Sequence, residues 1–163
     1  MDRQTQRTMF SSRSDEWGTP QDFYEKLNRK FKFTLDPCCT PTTAKCDKYY
    51  TMEEDGLSKS WKNEVVFVNP PYGNIGKWVK KAYEESKING ASVVMLIPSR
   101  TDTKYWHDYI MEGANAIYFI KGRLKFTNGS DKRNAAPFPS AVVVFDSGKF
   151  SWINGPTMKA MER

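Results

Sequence analysis

The sequence predicts an α/β fold, with an open, mostly parallel twisted sheet and helices on both of its faces. Three observations carry that expectation. Val65-Val66-Phe67-Val68 is a continuous β-branched and aromatic run, the pattern of a strand buried on both sides. Similar runs occupy residues 91–97 and 116–120. An amphipathic stretch with helical spacing separates the first two, so strand and helix alternate as in crossover-connected parallel sheets.

Taken in order, residues 1–14 are polar and dotted with arginine, and read as a flexible arm before a single ordered domain over 15–163. Thr19 stands where a helix N-cap belongs, Pro20 at the first helical position and Asp22 three residues after the cap. Phe23, Tyr24, Leu27 and Phe31 share one face of a helix ending near Lys30. Phe33-Thr34-Leu35 forms a short strand that turns at Asp36-Pro37, and Lys48-Tyr49-Tyr50-Thr51 has the composition of another. After Val68 the chain breaks at Asn69-Pro70-Pro71-Tyr72-Gly73. A helix follows with Ile75, Trp78, Val79, Ala82 and Tyr83 inward and Lys77, Lys80, Lys81, Glu84 and Glu85 outward. Asn89-Gly90 stops it, and the next strand ends at Pro98. Residues 102–111 predict a further helix carrying Tyr105, Trp106, Tyr109 and Ile110, and residues 141–145 a fourth strand. Residues 121–139 have no helical period and read as a long polar loop, a length that favours a functional role.

Composition narrows the function classes. The 163 residues contain no apolar run of ~18, so no membrane-spanning helix is expected. No secretory signal pattern opens the chain, which predicts a cytoplasmic location. A net charge of +6 favours a polyanionic partner, although a merely basic soluble protein fits that charge equally well. Cys38, Cys39 and Cys46 make an odd count, and His107 is the one histidine. Neither a disulfide framework nor a metal site is expected from that set.

The chemistry concentrates at Asn69-Pro70-Pro71-Tyr72, at the carboxyl end of the most apolar strand, where open α/β sheets collect ligands. The segment suits a planar exocyclic amine, whose lone pair is delocalised into its ring. To free that lone pair, both N–H hydrogens must be accepted. The Asn69 side-chain oxygen can accept one and the Pro70 carbonyl the other. Pro70 and Pro71 fix φ and add no competing donor, so the carbonyl is aimed. Tyr72 offers a π-face on which a base turned out of a duplex can stack.

These residues resemble a known family. Asn-Pro-Pro-Tyr is similar to the catalytic motif of amino-group methyltransferases that use S-adenosylmethionine. The flanking segments narrow the resemblance to the phage-type DNA N6-adenine (Dam) methyltransferases. They are Asp15-Glu16-Trp17-Gly18-Thr19-Pro20, Leu35-Asp36-Pro37-Cys38, Glu54-Asp55-Gly56-Leu57 with Trp61, Ile75-Gly76-Lys77-Trp78, and Arg100-Thr101-Asp102-Thr103-Lys104 with His107-Asp108. The likeness runs in order over residues 15–146. It implies a Rossmann-like class I methyltransferase fold with an antiparallel C-terminal strand, acting on double-stranded DNA, in a bacterial host if phage-encoded; the oligomeric state stays open between monomer and weak dimer.

Position by position, the resemblance implies catalytic roles for Asn69, Pro70, Pro71 and Tyr72. It implies cofactor contacts for Trp17, Thr19, Pro20, Asp36, Cys38, Asp55 and Asn69. Asp36 would face the methionine ammonium of the cofactor, and Asp55 would accept from its adenine amine. Many methyltransferases carry a glycine-rich loop after the first strand, whereas Asp36-Pro37-Cys38-Cys39-Thr40-Pro41 contains no glycine. Basic residues of the two neighbouring loops, Arg100, Lys104, Arg123, Lys125, Lys132 and Arg133, are the expected phosphate contacts. Other readings stay open from the residues alone. One is a methyltransferase acting on an RNA base or a glutamine amide; the other is a DNA-binding module of the same fold without catalysis.

Overall fold

The computed structural model describes residues 18–127 and 133–163. Trp17, Lys132 and the expected N-terminal arm lie outside these residues. The main sheet contains β1 (Val65–Val68), β2 (Ser92–Pro98), β3 (Ala116–Ile120), β6 (Ser140–Phe145) and β7 (Thr157–Met161). Their spatial order is β1-β2-β6-β3-β7. β1 pairs parallel with β2 and β3 parallel with β7, while β6 runs antiparallel to both β2 and β3. The expected antiparallel strand near the C-terminus is therefore β6. It lies inside the sheet rather than at its edge, and β7 follows it along the chain as an added parallel edge strand.

Alternation along each strand divides the core into two layers. Val65, Phe67, Val94, Leu96, Val142 and Val144 face one side, packed with Phe23, Tyr24, Leu27 and Phe31 of helix α1 (Gln21–Phe31). Val66, Val68, Val93, Met95, Ile97, Val143 and Phe145 face the other, against Trp78, Val79 and Ala82 of α2 (Ile75–Ile88). Both sides are covered, so these strands carry no polar face.

Several local expectations are corrected. Thr19 does not cap α1: the N-cap is Pro20, without a side-chain cap bond. At its other end, α1 stops where Lys32 turns left-handed at φ 57°, its N–H donating to the Asn28 carbonyl. Residues 33–35 contribute a single parallel bridge, Leu35 to Val66, and Asp36 bridges Tyr49. The expected outward position of Glu85 is also wrong. Its carboxylate accepts from Trp61 N (3.0 Å), Asn89 Nδ2 (2.9 Å) and Lys81 Nζ (2.6 Å), and three donors compensate its burial. The helix expected over 102–111 is wound as a π-turn at Trp106–Ile110, continued by Met111–Gly113. Finally, the polar loop over 121–139 contains an antiparallel ribbon of β4 (Lys125–Thr127) and β5 (Arg133–Ala135). Leu124, Phe126, Ala136 and Phe138 anchor it into the α1-side core.

Among the described residues, no helix is long and apolar enough to cross a membrane.

Candidate active site

The parallel bridge between Leu35 and Val66 places the ends of two chain segments side by side at the carboxyl edge of the sheet. Asp36 emerges from one and Asn69 from the other. From β1 the chain continues through α2 to β2 on one flank, while the Leu35 segment lies on the opposite flank. A crevice opens at such a switch point because neighbouring connections leave in opposite directions. Here it is a cavity of about 490 Å³.

Nearly the whole expected site meets there. Asn69, Pro70, Pro71 and Tyr72 line the cavity together with Thr19, Asp36, Cys38 and Asp55. Pro20 is buried behind Thr19 and is not part of the lining. Asn69 Nδ2 donates to Thr19 Oγ1 at 3.0 Å. With its NH2 group engaged in this way, Asn69 keeps Oδ1 as its acceptor. The threonine that sequence assigned to a helix cap instead orients the asparagine. Pro71 at φ −64° and ψ 143° leads into a 3-10 turn, Tyr72–Asn74, from which α2 starts. Tyr72 is half-buried and makes a T-shaped contact with Phe138, ring centroids 5.1 Å apart. Burial pushes its hydroxyl well above the usual tyrosine range, so the ring stays a neutral phenol.

Asp36 is 3% exposed. Oδ1 accepts from Cys38 N at 3.3 Å and Oδ2 from Lys45 N at 3.0 Å. Burial nevertheless dominates those hydrogen bonds and pushes the carboxyl up to about 6. A cationic group brought against it would restore its charge. Asp55 lies at the exposed rim in a left-handed conformation, φ 55°. Its neighbour Gly56 sits on Pro37 so closely that a Cβ there would fall 2.0 Å from the Pro37 carbonyl oxygen. On the other side the Gly56 carbonyl accepts from Trp61 Nε1 at 3.0 Å, and Trp61 N donates to Glu85. A buried carboxylate of α2 thus holds the loop that carries Asp55.

Sequence reasoning missed part of the lining. Thr40, Thr43, Lys45, Met52, Asn74 and Trp78 also border the cavity. Asn74 Oδ1 and Trp78 Nε1 are buried without a hydrogen-bond partner. The pattern of Trp78 gave only its core face, and nothing in the spacing marked Lys45.

Of the expected phosphate contacts, Arg100, Lys104, Arg123 and Lys125 do not line the cavity. Arg100 follows the end of β2, and Lys104 is exposed beyond it. Arg123 and Lys125 are exposed at the root of the β4–β5 ribbon, where Arg123 Nη1 donates to the Ala136 carbonyl at 3.4 Å. Arg133 opens β5. The ribbon reaches the site through Phe138, which touches Tyr72. His107 is exposed and does not line the cavity.

Residues 6–160 match the family described as DNA N-6-adenine-methyltransferase (Dam). The chain is 28% identical over 142 residues to the DNA N-6-adenine-methyltransferase of Haemophilus phage HP1 (strain HP1c1), covering 83% of this chain and 80% of that protein. It is 31% identical over 150 residues to the DNA N-6-adenine-methyltransferase of Escherichia phage T1, covering 91% of this chain and 58% of that longer protein.

Proposed function

Because the chain belongs to the DNA N-6-adenine-methyltransferase (Dam) family, we propose that it transfers a methyl group from S-adenosylmethionine to the N6 amine of adenine in DNA. The observation that carries this reading is the convergence of Asn69, Pro70 and Tyr72 with the buried Asp36 on one cavity.

The residues present fit the cofactor. Asp36 is a buried carboxylate without a salt bridge among the described residues, suited to an ammonium. Asp55 suits an amine donor at the rim, and the unpartnered Asn74 and Trp78 atoms leave polar capacity beside the cavity. When bound, S-adenosylmethionine supplies an electrophilic methyl group. The chain's own task is to prepare the nucleophile. Asn69 Oδ1 and the Pro70 carbonyl accept the two amine hydrogens, so the nitrogen can pyramidalise and direct its lone pair at the methyl. Tyr72 stacks on an adenine rotated out of the duplex. No general base is required, because the nitrogen becomes strongly acidic once it is methylated. Arg100, Lys104, Arg123, Lys125, Lys132 and Arg133 contact phosphates around the extruded base.

Incubation with labelled cofactor and duplex DNA, RNA or protein tests the reading. Label is expected in DNA as N6-methyladenine. Label confined to RNA or protein, or no transfer at all, would defeat it. Charge reversal at Arg123 and Lys125 should weaken DNA binding and flatten its dependence on salt.

The raised Asp36 carboxyl also sets a pH dependence. Its ordinary value is 3.8 and its folded value about 6. The stability it contributes is therefore full below pH 3.8 and is lost as pH rises through about 6, because the ionised form is the one that burial penalises. A bound ammonium reverses that preference and drives a proton off. Cofactor affinity should fall about tenfold between pH 7 and pH 5, with proton release measurable by calorimetry in buffers of different ionisation heat. Equal affinity at both pH values would remove Asp36 from the ammonium site.

A further inference from the structure

We propose that Lys45 binds the carboxylate of the cofactor's amino-acid tail, making the corner formed by Asp36 and Lys45 a reader of an α-amino-acid zwitterion. This rests on the reading of the cavity as a site for S-adenosylmethionine. Among the described residues, the charged ones in its lining are Asp36, Asp55 and Lys45. Lys45 is adjacent to Asp36 by direct contact, its main-chain N–H donating to Asp36 Oδ2 at 3.0 Å. An α-amino acid carries its ammonium and carboxylate on the same carbon, so its binding site needs opposite charges close together.

The side chain of Lys45 is available for that partner. Its Nζ donates to Gln21 Oε1 at 2.7 Å and lies 5.6 Å from the centre of the Tyr24 ring. Two ammonium hydrogens remain after the bond to Gln21. The nearby carboxyls of Asp36 and Glu25 favour its charge, but no salt bridge to Lys45 forms among the described residues. Partial burial outweighs both carboxyls and lowers the Lys45 ammonium below its usual range. A ligand carboxylate would offset that cost. Gln21 is exposed and neutral and can yield its bond to a charged acceptor without leaving a buried group unsatisfied. Thr40 and Thr43, whose hydroxyls lie 2.9 Å apart in the same lining, add neutral donors beside the lysine. With all three ionised, the described lining is negative by one charge, which complements a ligand holding a sulfonium, an ammonium and one carboxylate.

The test compares three ligands by calorimetry on the full chain. S-adenosylhomocysteine has the whole tail, its decarboxylated analogue lacks only the carboxylate, and 5′-methylthioadenosine lacks both tail charges. Wild-type protein should bind S-adenosylhomocysteine about 10- to 100-fold more tightly than the decarboxylated analogue. Lys45→Met should erase most of that difference and leave methylthioadenosine binding within about twofold of wild type. Equal wild-type affinity for the first two ligands overturns the proposal without reliance on any variant. So does a Lys45→Met protein that weakens all three ligands alike. Wild-type protein that binds none of them overturns the cofactor reading as well, which separates the two failures.

Discussion

Asn69→Ala is expected to lower methyl transfer by about two to three orders of magnitude while leaving cofactor affinity within a few fold of wild type. The size follows from what the side chain does in each state. The adenine amine is flat and weakly basic in the ground state, so accepting one hydrogen from it contributes little to binding. As the nitrogen pyramidalises and gains positive charge, the same contact becomes a charge-assisted bond, and only that increase accelerates the step. Thr19 is the internal control. It holds the Asn69 amide from the opposite side at 3.0 Å without needing to touch the substrate. Thr19→Val should therefore cost about tenfold, through a less oriented asparagine. Single-turnover transfer, set beside calorimetric binding of S-adenosylhomocysteine, separates these effects. An Asn69→Ala enzyme with near-normal turnover would show that another group accepts the amine hydrogen.

Gly56→Ala should destabilise the fold by about 2–3 kcal/mol and displace Asp55 from the cavity rim. The added methyl would stand 2.0 Å from the Pro37 oxygen, 3.0 Å from its carbonyl carbon and 3.1 Å from its Cβ. Backbone cannot rotate aside as a flexible side chain would. Retreat is blocked as well, because the Gly56 carbonyl accepts from the indole of the fully buried Trp61, whose main-chain N–H Glu85 in turn holds. The strain is relieved by moving the loop or by moving the Asp36-Pro37 turn, and both form walls of the site. Urea unfolding would measure the stability loss, and calorimetry should find cofactor affinity reduced at least tenfold. Wild-type values in both would mean that the Pro37 turn gives way freely.

What the sequence disclosed follows the length and burial of each element. β1 and β2 are continuous apolar runs flanked by breakers, and the amphipathic face of α2 is long enough to have a period. Their order alone puts Asn69 at the carboxyl edge of the sheet. β4 and β5 have three residues each, too short for alternation to register, and so merged into an apparent loop. β7 is mostly exposed at the sheet edge, and Thr157, Lys159 and Ala160 do not announce a strand. Its pairing comes from main-chain bonds to β3, which carry no side-chain signature. Glu85 and Thr19 were misassigned for a related reason. Local rules sent one to solvent and the other to a helix cap, but partners distant in the chain, Trp61 and Asn69, claimed them. Lys45 shows the same limit. A lysine on a coil segment has no pattern, and its interest arises only from where the fold sets Asp36.

The position of β6 has a consequence for biogenesis. Among the described strands it alone joins β2 to β3, yet it is translated after both. A nascent chain ending before Ser140 holds the β1-β2 pair and a β3 with neither of its sheet partners, and the two cannot join until Ser140–Phe145 leaves the ribosome. Such delayed, long-range pairing folds slowly and exposes sticky strands in the interim.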